Sequence, residues 1–200
     1  KENAVIEADD AYTIYEVPIL MLREKLDLIV LQKLNITNFN EPDLTKWKGF
    51  LDKLMHPRYK VTIGLIGKYI ELQDAYKSIL ESFIHAGAMN DCKVQVVNVH
   101  SEYITEDNVT EKLTGLDGLL VAPGFGFRGV EGKIVAVKYA RENKLPFFGI
   151  CLGMQMAAIE FARNVLGICD ADSTEMQPDT ANPVIDMMEE QKKITMKGGT

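Results

Sequence analysis

Leu145-Pro-Phe-Phe-Gly-Ile-Cys151-Leu-Gly-Met-Gln-Met-Ala157 is the stretch whose reading decides the fold. Pro146 to Ile150 is a short apolar run of the kind that forms a buried strand, and from Met154 onward the pattern is helical. Between them lies Gly149-Ile150-Cys151-Leu152-Gly153, a G-x-C-x-G turn. A nucleophile on so sharp a strand-to-helix turn occupies a strained backbone, and glycines on either side give neighbouring elements room to pass. The helix that follows points its positive N-terminal end at the sulfur, which favours the thiolate and offers backbone N–H donors to an oxyanion. The competing reading of so short a motif is a buried structural cysteine beside a glycine-rich turn.

Upstream of this elbow the chain alternates strand and helix from Lys60 onward. Val61 to Ile66 reads as a buried strand, and Gln73 to Gly87 as a helix with Tyr76, Ile79, Leu80, Phe83 and Ile84 on one face and Gly87 as its stop. Val94 to Val99 is the next strand, and Thr110 to Leu113 a short helix. Leu119 to Val121 is a third strand, Glu131 to Lys144 a helix, and Phe147 to Ile150 the fourth strand. Continuous apolar strands separated by helices predict an α/β fold, a doubly wound and mostly parallel sheet covered on both faces. Ligands of such sheets bind at the carboxyl ends of the strands. Cys151 stands at one of those ends, and Val121-Ala-Pro-Gly-Phe-Gly-Phe-Arg-Gly129 at another. Three glycines there free N–H groups to face an anion, which beside an elbow cysteine favours acyl transfer over an ordinary loop. It is not a nucleotide P-loop, since G-x-x-x-x-G-K-[ST] does not occur.

Residues 1–58 have a different texture. Ala4-Val5-Ile6 is a short strand candidate, 11–18 is extended or looped, and 19–34 places apolar residues at mostly helical spacing. After a turn-rich break at 35–42, Leu44, Trp47, Leu51 and Leu54 form a second amphipathic helix entered through Asp43. These helices have no evident sheet of their own, so they belong with a neighbour, and His56-Pro57-Arg58 marks the boundary. The domains expected are thus 1–58 and 59–200.

Two hundred residues, 46% hydrophobic, suffice for one domain and an appendage. A net charge of -7 and a pI near 5.1 argue against nucleic acid as the main partner. No apolar run approaches a membrane span and no leader is evident. Three scattered cysteines, Cys92, Cys151 and Cys169, make neither a disulfide framework nor a zinc site. A reducing, cytoplasmic setting is expected, with no metal ligated by these residues.

Gly149-Ile-Cys-Leu-Gly-Met-Gln155, preceded by Gly124-Phe-Gly-Phe-Arg-Gly-Val-Glu-Gly-Lys133, closely resembles the glutamine amidotransferase domain of the CTP synthases. Gly67-Lys-Tyr-Ile-Glu-Leu-Gln-Asp-Ala-Tyr-Lys-Ser78, Asp172-Ser-Thr-Glu175 and Gly198-Gly-Thr200 fit the same family. Residues 1–58, with Ile14-Tyr-Glu-Val-Pro18 their most recognisable piece, resemble the tail of the preceding synthetase domain and its linker. The resemblance implies a flavodoxin-like three-layer sandwich of the class I glutamine amidotransferase type. It also implies a function: ammonia from L-glutamine is passed to a synthetase domain, where UTP, activated by ATP with magnesium, becomes CTP under stimulation by GTP, in a homotetramer. Cys151 is then the nucleophile that forms the glutamyl thioester. Gly124 and the backbone of Leu152 bind the amide oxygen, Gln155 and Glu175 hold the amino-acid end of glutamine, and Gly153 and Met154 line the pocket. Arg128 and Glu131 are assigned to the GTP response, and Asp9, Asp10 and Ala11 fall where the family contacts ATP.

Two departures from the family pattern qualify that assignment. Where the family reads Pro-Gly-Gly-Phe-Gly, this chain has Ala122-Pro123-Gly124-Phe125-Gly126, and proline offers no N–H, which leaves Gly124 as the donor. The family's base, a His-x-Glu pair C-terminal to the nucleophile, has no counterpart: the three histidines are His56, His85 and His100. The chain therefore reads as a C-terminally incomplete fragment, expected not to turn over glutamine by itself. The alternative is a non-catalytic amidotransferase-like binding or regulatory module. A peptidase-like or chaperone-like elbow-cysteine relative ranks below both.

Overall fold

The computed structural model describes residues 4–188 of the 200-residue chain; Gly198-Gly199-Thr200, part of the resemblance, lies outside them. Four strands, β1 (Tyr59–Gly67), β2 (Cys92–His100), β3 (Gly118–Val121) and β4 (Phe147–Gly149), form one sheet in the order β2-β1-β3-β4, every neighbouring pair parallel. Parallel neighbours need crossovers. These are α4 (Lys77–Met89), α5 (Val109–Leu113) and α6 (Val130–Glu142), and α7 (Leu152–Asn164) follows β4.

Successive strand residues face opposite sides, and both sides are apolar. Ile66, Val99 and Val121 pack with Val109, Leu113, Ala136, Val137 and Ala140 of α5 and α6. Leu65, Leu120 and Ala122 pack on Tyr76, Ile79, Leu80 and Phe83 on the other face. The doubly wound parallel sheet read from the sequence is thus the observed fold. Register brings Ile66 opposite Val121 and Val121 opposite Gly149, so β1, β3 and β4 end along one edge, where Lys68, the glycine loop and Cys151 emerge.

Several local expectations are corrected. Residues 5–11 adopt no regular structure, so Ala4-Val5-Ile6 is not a strand; Val5 is 78% exposed. The helix expected over 19–34 is two, α1 (Val17–Arg23) and α2 (Leu26–Lys33), because Lys25 takes a left-handed backbone at φ 57° and breaks the ladder. The break lets Pro18, Met21 and Leu22 share an apolar cleft of about 520 Å³ with Leu26, Val30 and Leu31. Gly87 does not stop α4 but lies buried inside it, where a Cβ would fall 2.5 Å from the Cys92 carbonyl oxygen. Its role is close helix–strand approach. Tyr76 precedes α4 in a 3-10 turn, and its hydroxyl accepts the Lys68 N–H at 3.2 Å. The pair β5 (Ala171–Ser173) and β6 (Asn182–Ile185) carries no sequence signal, being short, of mixed polarity and interrupted by Pro183.

As expected, Asp43 enters α3 (Thr45–Met55) by accepting the Thr45 N–H at 2.9 Å. The N-terminal helices are tied to α4 through Tyr15: its hydroxyl donates to Glu81 and lies 2.7 Å from His85 Nε2, and its carbonyl accepts the Trp47 indole N–H at 2.8 Å.

Between α6 and α7, Glu160 is 1% exposed and takes Arg141 Nη2 at 2.7 Å, Arg141 Nε at 3.1 Å and Asn164 Nδ2 at 3.2 Å. Arg141 reaches solvent and Glu160 does not, so the pair should respond asymmetrically. Arg141→Met, which strands a buried carboxylate, is expected to cost roughly 3 kcal/mol, and Glu160→Leu only about 1 kcal/mol. Urea midpoints of the two variants check this order.

Candidate active site

Cys151 is the N-cap of α7 and is exposed at the sheet's carboxyl edge. Its backbone, φ 51° and ψ -109°, lies in a region that side chains other than glycine's rarely adopt, at a cost of about 1–3 kcal/mol. What holds it there is crowding of backbone. A Cβ at Gly153 would fall 2.2 Å from the Val121 carbonyl oxygen, and one at Gly149 would fall 2.5 Å from the carbonyl carbon of Gly153. β3, β4 and α7 therefore touch through bare backbone, and the tight turn lifts the thiol out of the sheet.

The elbow's remaining candidates are local to it. Leu152 is buried at the first turn of α7, and its N–H finds no acceptor among the described residues. Gly153 is buried, and Met154 is exposed. The Gln155 Oε1 is buried with no hydrogen-bond partner among the described residues, a cost that a donor from a ligand would remove. Gly124 joins them from the loop after β3: a Cβ there would sit 3.6 Å from Leu152 Cδ2. Its N–H likewise has no acceptor among the described residues. Glu175, in the turn after β5, reaches the same loop and accepts the Gly126 N–H at 3.3 Å.

The other candidates are drawn elsewhere. Arg128 pairs with Glu102 at 2.8 Å and lies 5.4 Å above the Tyr69 ring, whereas Glu131 pairs with Arg163 at 3.1 Å, so their charged ends turn to different neighbours. Asp9, Asp10 and Ala11 lie in the irregular N-terminal segment. His85, near the end of α4, lies toward the opposite end of the sheet from Cys151, because a crossover helix runs antiparallel to the strands. His100 ends the edge strand β2, three strands or about 14 Å from the end of β4. It stacks on Tyr103 and approaches Glu71 at 3.6 Å. His56 pairs with Asp52 at 3.0 Å on the surface.

Two lysines that the sequence pattern alone does not single out complete the site. Lys133 is fully buried and donates to the Ala122 carbonyl at 2.8 Å, and Lys68, 4% exposed, donates to the Phe125 carbonyl. A Cβ at Gly124 would lie 3.4 Å from Lys68 Cε and 3.7 Å from Lys133 Nζ, so the two side chains flank that residue. A faint signal exists: Lys133 falls on the Val130, Ile134, Val137 stripe that faces the core of α6. Burial, then repulsion from Lys68, pulls the Lys133 ammonium down to about 8, partly offset by attraction to Cys151. The unfolded chain keeps this proton up to about pH 10.5 and the folded chain only to about pH 8. Folding thus carries the full penalty below pH 8, roughly 3 kcal/mol, and sheds it as pH rises toward 10.5. Lys133→Met is accordingly expected to be more stable than the parent at pH 7, with the difference in urea midpoint vanishing near pH 10.5.

A strained cysteine at a strand-to-helix elbow thus stands near the loop that carries Gly124, whose N–H has no acceptor among the described residues. Residues 71–200 match the family model of the class-I glutamine amidotransferases, and the chain belongs to that family. It is 65% identical over 198 residues to the CTP synthase of Cytophaga hutchinsonii, which covers 99% of this chain and 37% of that one. It is also 62% identical over 200 residues to the CTP synthase of Flavobacterium johnsoniae, again 37% of the relative's length. Among solved structures, the glutaminase domain of Trypanosoma brucei CTPS with bound acivicin matches with a TM-score of 0.62 and 38% identity, over 66% of this chain and 51% of that one. The chain thus spans somewhat more than a third of the length of these curated relatives.

Proposed function

We propose that this chain is the glutamine-hydrolysing part of a CTP synthase. The observation that carries the reading is the strained Cys151 elbow with the unpartnered N–H groups of Gly124 and Leu152 beside it. In the proposed reaction the Cys151 thiolate attacks the side-chain amide carbon of glutamine, and the developing oxyanion is received by the two N–H groups. The C–N bond then breaks, nitrogen leaves as ammonia after taking a proton, and water hydrolyses the thioester to glutamate. The orphaned Gln155 Oε1 suits the α-ammonium of glutamine, and the Glu175 carboxylate, held by the Gly126 N–H, is assigned to the same amino-acid end. The proton-transfer base is assigned to a His-x-Glu pair elsewhere in a longer protein, since the three histidines here sit far from the thiol.

Within this proposal, residues 1–58 are the synthetase tail and linker and 59–200 the amidotransferase domain. The ammonia aminates UTP with ATP and Mg²⁺ in a cytoplasmic homotetramer that responds to GTP. Arg128 and Glu131 are assigned to that response, and Asp9, Asp10 and Ala11 to ATP contact. Magnesium, with ATP, is assigned to the remainder of the protein. Among the described residues, no helix is long and apolar enough to cross a membrane.

The test is glutamine hydrolysis by this chain beside a version extended to the full length of its relatives. Ammonia release by the longer protein alone supports the proposal with its remote base. Release by both places the base within these residues. Silence in both, with each folded, replaces the proposal with a non-catalytic binding module, the reading that the distant histidines favour. Acivicin, bound by the trypanosomal domain, is expected to protect Cys151 from alkylation in the hydrolytic reading.

A further inference from the structure

Lys68 and Lys133 are buried cations with no counter-ion. Neither forms an ion pair with a carboxylate among the described residues, and each donates to a single backbone carbonyl, Phe125 for Lys68 and Ala122 for Lys133. Taking an ammonium out of water is costly unless a negative charge accompanies it. The charged and titratable groups around them are few. The acids nearest in the chain turn away, Glu131 to Arg163 and Glu71 to His100, and Glu175 accepts the Gly126 N–H; Tyr69 and Tyr76 also face Lys68. Cys151 is a further group near Lys133 able to carry negative charge, and as a thiolate it would attract the ammonium. The two side chains also reach Gly124, whose N–H has no acceptor among the described residues and is the proposed oxyanion donor. An arrangement that spends folding stability to keep two cations under this loop makes sense where the anion belongs to the reaction.

We propose that Lys133, with Lys68 beside it, is a positioning residue of the Cys151 site: its ammonium fixes the Ala122–Gly124 loop and supplies the counter-charge of the thiolate. This rests on Cys151 being the nucleophile, and it adds a residue that acts through the loop and the field without touching substrate. Lys133 Nζ holds the Ala122 carbonyl, two residues before Gly124, so the Gly124 N–H keeps its direction. Its charge favours Cys151 as thiolate and would favour the oxyanion in turn.

The experiment measures iodoacetamide alkylation of Cys151 against pH, followed peptide by peptide so that Cys92 and Cys169 are scored separately. It uses the protein at the full length of its relatives. Lys133→Met is expected to alkylate about tenfold more slowly than the parent at pH 7 and at the parent's rate at high pH, where the thiol ionises without help. Lys133→Arg, which keeps the charge, is expected to stay within a factor of about three. A merely structural lysine would leave the alkylation profile unmoved. An unchanged profile in folded Lys133→Met therefore overturns the proposal. If the Met variant does not fold, the Arg variant decides: parental alkylation supports the counter-charge, and slowed alkylation in a folded Arg variant overturns it. Alkylation needs no glutamine, so an unmoved profile with intact hydrolysis rejects only the Lys133 role. A shifted profile without hydrolysis rejects only the glutaminase reading.

Discussion

Cys151→Ala in the full-length protein is expected to abolish ammonia release from glutamine, by a factor on the order of 10⁴ or more. The size follows from the chemistry: without sulfur there is no thioester, and what remains is hydrolysis by water in a pocket that still orients the amide. Glutamine binding should survive, because Gln155, Glu175 and the Gly124 and Leu152 N–H groups are untouched. Equilibrium dialysis with labelled glutamine beside an ammonia assay separates the two. A companion variant asks whether the elbow stores strain. Cys151→Gly should be equally inert but more stable by about 1 kcal/mol, because glycine adopts φ 51°, ψ -109° without the penalty that cysteine carries. A Gly variant with parental or lower stability would mean that the turn is not strained.

Gly153→Ala is expected to have the largest effect on folding. One methyl would sit 2.2 Å from the Val121 carbonyl oxygen, far inside van der Waals contact, and the atom it meets is backbone in the middle of the sheet. Relief requires α7 to move away from β3. That opens the layer between Ile134, Leu152, Met156 and Ile159, where each buried side chain contributes about 2 kcal/mol. The expected cost is about 4 kcal/mol or more, enough to unfold a marginal domain, with loss of Cys151 activity in whatever remains folded. Gly115→Ala is the control: no atom lies within 4 Å of the point where its Cβ would stand, although a φ of 79° is unfavourable for alanine, so about 1 kcal/mol is expected. A Gly153→Ala protein with a melting temperature near that of Gly115→Ala would refute the close-contact account of the elbow.

Much of this is legible from local pattern. Apolar runs such as Leu119 to Val121 mark strands buried on both faces, and Val130, Ile134 and Val137 mark the stripe of α6, because burial repeats with the period of each element. The elbow is legible because a nucleophile between two glycines leaves few other geometries. The break at Lys25 is not, since Glu24-Lys25 contains neither glycine nor proline and the left-handed residue follows from how α1 and α2 share a cleft. Gly87 misleads for the same reason: a helix-stopping glycine and a close-packing glycine look alike until Cys92 is seen against it.

By itself, then, the sequence determined the parallel α/β architecture, the position of Cys151 at a strand end and the family, each a property of short segments read with their own periodicity. Tertiary structure decided what meets at that strand end. It delivered Glu175 to the Gly126 N–H across 49 residues, left Gln155 Oε1 without a partner, sent Arg128 and Glu131 to different neighbours, and set Lys68 and Lys133 on either side of Gly124. Such pairings depend on strand order and helix packing, and a buried charge takes its meaning from the groups that packing brings around it.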